Sequence, residues 1–164
     1  MSHSVTITRT TTSTTNTSYI VLNTGYMKTV PGILKLLQLL LGIACVGILS
    51  YYYSHSSLYY GGNSEIYFFL MAVTFMIGTF ILLLSCLVSL STGGIISKTI
   101  YEVLYHAIAG ILILVASVLL LVKLSDYGRS KKIDAYWAAG IMGLINAVLY
   151  FISTFLANKS YRGI

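Results

Sequence analysis

Four long apolar stretches separated by short polar ones set the plan of this chain. The first covers residues 32–53, with the run LLQLLLGIACVGIL following Lys35. The second, residues 66–90, reads IYFFLMAVTFMIGTFILLLSCLVSL without a charge. The third spans about 100–122, and the fourth, 135–157, reads AYWAAGIMGLINAVLYFISTFLA. Each reaches the roughly 20 residues, at about 1.5 Å rise, that a helix needs to cross about 30 Å of hydrocarbon. Strands of a membrane barrel would be about half as long and would alternate in polarity. The pattern predicts an all-α membrane protein, an up-down-up-down bundle of four transmembrane helices, because connections this short force antiparallel neighbours.

Composition agrees. Hydrophobic residues make up 57% of the chain and charged ones only 9%, whereas a water-facing surface needs roughly 25% charged residues. The first apolar run begins only after a long polar segment, later than a cleaved secretory signal would place it, so the first helix is expected to serve as its own insertion signal. Residues 1–30 form a Ser/Thr-rich segment that lacks the apolar material to offset its chain entropy; it is expected to be a disordered tail, and its hydroxyls are candidate phosphorylation sites. Residues 158–164 are expected to be a short second tail, and the four-helix domain is assigned to 31–157. Pro31 fits the start of the first helix, where its missing N–H costs little.

Charge placement orients the bundle. The side holding the termini and the second loop carries Arg9, Lys28, Lys35, Lys98, Lys159 and Arg162; the other side carries Lys123, Arg129, Lys131 and Lys132, all around the third loop. The first loop, SHSSLYYGGNSE, has no Lys or Arg, and aromatic residues on both flanks fit an interfacial belt. These features predict cytoplasmic termini. Cys45 and Cys86 fall within helices, so neither is placed for a loop disulfide. Cys86, near a helix end, is a candidate palmitoylation site.

Two features inside the helices invite a functional reading. Glu102 and His106 lie four residues apart near the start of the third helix and so share a face. A pair that organises the bundle, a pH-sensitive switch built on the imidazole and a proton or transport path all fit that spacing. Above His106 the third helix offers only Ser117 as a further polar group, which favours the structural pair. One His and one Glu fall short of a metal ligand set. In the fourth helix Ala135, Ala139, Gly143 and Ala147 recur every four residues, with Asn146 beside them. Small residues at this spacing let helices approach closely in lipid, either within the bundle or with a second copy of the chain. Gln38 in the first helix needs a polar partner.

Order and style of these segments resemble the MARVEL-domain family, which includes the chemokine-like-factor, plasmolipin/MAL and insect singles-bar-like four-span proteins. The residues that carry the likeness are IYFFLMAV at the entrance to the second helix, EVLYHAIAGILILVASVLL in the third and WAAGIMGLINAVLYFISTFLA in the fourth. It covers about residues 30–157. The chain differs from the physin and occludin branches in lacking loop cysteines, and its third loop is unusually basic. The resemblance implies a non-enzymatic role in membrane apposition, vesicle trafficking or cell junctions, at the plasma membrane or on secretory and endosomal vesicles. Membrane lipids and other membrane proteins are the implied partners, with a homo-oligomer through helix four as an option. Neither a cofactor nor a nucleic acid partner is expected, and no HExxH, GxSxG or P-loop pattern is present. The alternative is a small channel or transporter using Glu102 and His106.

Overall fold

The computed structural model describes residues 23–54, 63–88, 99–126 and 131–163. Residues 1–22 with Arg9, most of the first and second loops and the centre of the third loop lie outside the described residues; residues 23–30, expected to belong to a disordered tail, form instead a 3₁₀ turn and the start of the first helix. Four helices carry the fold: α1 (Val30–Ser54), α2 (Asn63–Val88), α3 (Ile100–Ser125) and α4 (Lys131–Arg162), preceded by a 3₁₀ turn, Thr24–Lys28. All four helices are long and apolar enough to cross a membrane. A helix is what such sequences must form in hydrocarbon, because every backbone N–H and C=O has to be satisfied within the chain.

The helix ends lie a few residues outside the apolar runs. Helix α4 has 32 residues, so the segment expected to be a short tail from residue 158 is helical almost throughout. The third loop contracts as well, since Lys123 belongs to the last turn of α3 and Lys131 opens α4. Hydropathy finds only the part of a helix that sits in lipid. The flanking charged turns continue the helix because backbone hydrogen bonding does not stop at the headgroups. Lys159 and Arg162 in the last turn of α4 and Asp134 in its first suit the helix dipole, whereas Lys131 and Lys132 at its start oppose it. Gly163, at φ 70°, takes the left-handed position that closes the helix.

The start of α1 is built with similar economy. Thr29 Oγ1 accepts the N–H of Gly32 at 3.2 Å, a side-chain cap of the first turn, and donates to the Tyr26 carbonyl at 2.7 Å. Gly32 has a specific reason: a Cβ there would collide with the Tyr26 carbonyl, so the 3₁₀ turn folds back on α1 only over a glycine. The Asn23 N–H reaches the Leu87 carbonyl at 2.7 Å, tying the turn to the C-terminal end of α2. One end of the bundle therefore gathers the starts of α1 and α3 and the ends of α2 and α4.

Away from that end the interior is apolar. Leu49, Phe68, Ala72, Leu120, Leu124 and Tyr136 form part of a buried cluster that fills the opposite half. Cys45 belongs to it, its thiol directed at the Ala139 carbonyl at 3.6 Å. A second cluster, with Phe75, Ala109, Ile113, Ala147 and Tyr150, lies nearer the end that holds the termini. Outside, large side chains such as Leu40, Ile77, Ile81, Leu119, Ile145 and Phe155 are exposed. In water such a surface would aggregate; in a bilayer it faces acyl chains.

Candidate functional site: a buried polar network at one end of the bundle

Glu102 and His106 both turn into the bundle, 5% and 0% exposed. They are not a self-contained pair. The Glu102 carboxylate is held by the ammonium of Lys35 from α1, and His106 Nε2 stands 3.7 Å from the same carboxylate oxygen. That separation is too long for a hydrogen bond. The imidazole instead packs among rings, with centroids 5.2 Å from Tyr105 and 5.8 Å from Tyr150. Neither ring nitrogen has a hydrogen-bond partner among the described residues.

Lys35 is the residue that the spacing in the third helix could not show. It is 1% exposed and also donates to the Tyr26 hydroxyl at 3.0 Å. A charge inside a membrane bundle is kept by pairing it, and Lys35 and Glu102 neutralise each other across α1 and α3. One signal was present in the sequence. Each lies within the first two turns of an antiparallel-bundle helix that starts on the same side, so the two opposite charges had to come to similar depth. Tyr26, outside the spans, completes the group; burial, and next the Cys86 thiol beside it, hold its hydroxyl well above the usual tyrosine range.

One turn deeper, Gln38 meets its partner. Its side-chain N–H donates to Ser153 Oγ on α4 at 2.8 Å, and the Asn146 side-chain amide donates to the backbone carbonyl of Gln38 at 3.4 Å. On the other flank Thr79 Oγ1 lies 2.9 Å from the Tyr105 hydroxyl and 2.7 Å from that of Tyr150, joining α2, α3 and α4. Both tyrosines also donate to the Phe75 carbonyl, at 3.2 and 3.3 Å. Ser117, the one polar group expected deeper in the third helix, closes on its own helix through the Ile113 carbonyl at 2.7 Å. It extends no chain of polar groups.

The small stripe of α4 faces inward. Ala139 and Ala147 are fully buried, Gly143 is buried and Ala135 half-buried. A Cβ on Gly143 would lie 2.6 Å from the Phe68 ring of α2 and would also strike Ser117 Oγ of α3. The chain's own helices thus occupy the stripe, the first of the two readings its spacing allowed. The candidate acylation site is enclosed in this structure. Cys86 is 2% exposed, because it lies on the face of α2 turned toward the 3₁₀ turn. Acylation there would require that contact to open.

An ion pair and a hydrogen-bonded network enclosed by four apolar spans define an integral membrane bundle whose polar groups hold its helices together. Residues 26–156 match the MARVEL family, a membrane-associating domain, and the chain belongs to that family. No curated protein and no solved structure matches the chain.

Proposed function

We propose that the protein is a non-enzymatic membrane organiser acting in membrane apposition, vesicle trafficking or junction and fusion processes, through helix packing and lipid contact. It is read as residing in the plasma membrane or in secretory and endosomal vesicles, with both termini cytoplasmic and the Ser/Thr-rich segment ahead of the 3₁₀ turn forming a cytoplasmic tail. The carrying observation is the distribution of buried polarity. Lys35, Gln38, Thr79, Glu102, His106 and Ser153 gather toward one end; Asn146 at mid-depth reaches the backbone of Gln38, Ser117 beyond it bonds only its own helix, and the other half is otherwise filled by the Leu49–Phe68–Leu120–Leu124 cluster. A relay needs polar groups at successive depths, and the packed half interrupts one. A second copy, if it binds through α4, would meet the exposed ridge of Ile141, Ile145, Val148 and Phe155 rather than the small stripe.

The test pairs reconstitution with imaging. Liposomes containing the full chain should hold proton and potassium gradients as well as empty ones, and a tagged copy should concentrate at vesicle or cell-contact membranes. Dissipation of a gradient that Glu102→Gln abolishes would replace this reading with the transporter alternative.

A further inference from the structure

At the end that gathers the termini, a cavity of about 200 Å³ opens between the 3₁₀ turn, α1 and α4. Its polar wall is made by Lys35 and Glu102 with the hydroxyls of Tyr26, Thr29, Ser153 and Ser160. Leu34, Leu156 and Ala157 supply an apolar wall. One water needs about 10–15 Å³ of such space, so the cavity has room for a compact polar headgroup.

The ammonium of Lys35 is almost wholly buried and has three N–H groups. Glu102 takes one and the Tyr26 hydroxyl another. No third partner is found among the described residues, and Lys35 lines the cavity. Charge around this end is one-sided. Lys28, Lys35, Lys159 and Arg162 stand against Glu102 alone, a net of three positive charges among the described residues, and the other three acids, Glu65, Asp126 and Asp134, lie at the opposite end. Lys28, Lys159, Ser160 and Arg162 are exposed, so the cations can reach a ligand at the membrane surface. Phosphate oxygens are strong acceptors for such donors, and the apolar wall gives an attached acyl chain a route into the bilayer.

From these observations we infer that the cavity is a headgroup site for an acidic phospholipid. The phosphate takes the remaining Lys35 donor and the hydroxyl rim, the basic end of α4 answers the headgroup's net negative charge, and the tail lies along Leu34 and Leu156. Acidic lipids enrich the cytoplasmic leaflet, the leaflet on which the expected orientation puts this end. The inference stands on the cavity and its charges; its choice of leaflet rests on the orientation proposed above, and it does not depend on the organising role.

Calorimetric titration of the purified full chain in uncharged maltoside micelles tests it. Dioctanoyl phosphatidylserine should bind at least tenfold more tightly than dioctanoyl phosphatidylcholine, with the preference shrinking as salt is raised. Ser160→Trp, which fills the mouth of the cavity, should abolish the preference. The double change Lys159→Glu/Arg162→Glu, at exposed positions, should reduce it at least tenfold and supplies the answer should the tryptophan variant not fold. Equal binding of the two lipids, or a preference unaffected by the double change, would overturn the site. Cholesterol competing as well as phosphatidylserine would overturn the acidic class. Inorganic phosphate alone matching the lipid would show a free-anion site and overturn the lipid.

Discussion

Gly143 offers a direct measure of how tightly this bundle is packed. Gly143→Ala adds one methyl group 2.6 Å from the Phe68 ring and against Ser117 Oγ. Neither neighbour yields easily: Phe68 is 1% exposed, and Ser117, fully buried, holds the Ile113 carbonyl at 2.7 Å. Gly47→Ala is the matched control, because a Cβ there meets nothing within 4 Å. Both changes alter intrinsic helix preference by the same amount, about 1 kcal/mol in favour of alanine, so that contribution cancels in their difference. What remains is overpacking, typically about 1–3 kcal/mol. Gly143→Ala should therefore be less stable than Gly47→Ala by about that amount, and Gly143→Leu should be worse. Ser117→Gly in the Gly143→Ala background should recover part of the loss, because it removes one of the two obstacles. Unfolding midpoints in mixed micelles titrated with dodecyl sulfate, followed by far-ultraviolet circular dichroism, give the numbers. Coincident midpoints for the two alanine variants would refute the argument that Gly143 is a point of close helix approach.

The ion pair yields a less intuitive expectation. Glu102→Gln keeps the shape and the hydrogen bonding of the side chain but leaves the Lys35 ammonium buried without a countercharge, a loss of about 3–5 kcal/mol; the double variant Lys35→Met/Glu102→Leu should regain most of it, and a double variant no more stable than Glu102→Gln would contradict the pairing. Asn16-Thr17-Ser18 matches a glycosylation acceptor and lies outside the described residues; with cytoplasmic termini it should carry no glycan, and a glycosidase-sensitive mass shift lost in Asn16→Gln would invert the orientation. Cys86 in folded protein should react with a water-soluble maleimide far more slowly than after unfolding, and equal rates would show that the contact between α2 and the 3₁₀ turn does not shield it.

Several levels of this protein were legible along the chain. The number of spans and their antiparallel order follow from hydropathy and loop length, because the bilayer imposes one element length and forbids unsatisfied backbone; the MARVEL family was legible only as a resemblance of particular segments. The inward use of the α4 stripe was one of two readings the spacing allowed, and only neighbouring helices could choose between them: Phe68 from α2 and Ser117 from α3 fill the groove at Gly143. The four-residue spacing put Glu102 and His106 on one face, yet it could not show that the carboxylate's principal partner is Lys35, 67 positions away in the chain. Gln38 announced that it needed a partner without naming Ser153, 115 positions away. Periodicity describes what a helix presents along its own axis. Which helix receives each side chain depends on rotation about that axis and on helix order in the bundle. Those are settled only when all four apolar faces pack and the buried polar groups of different helices meet.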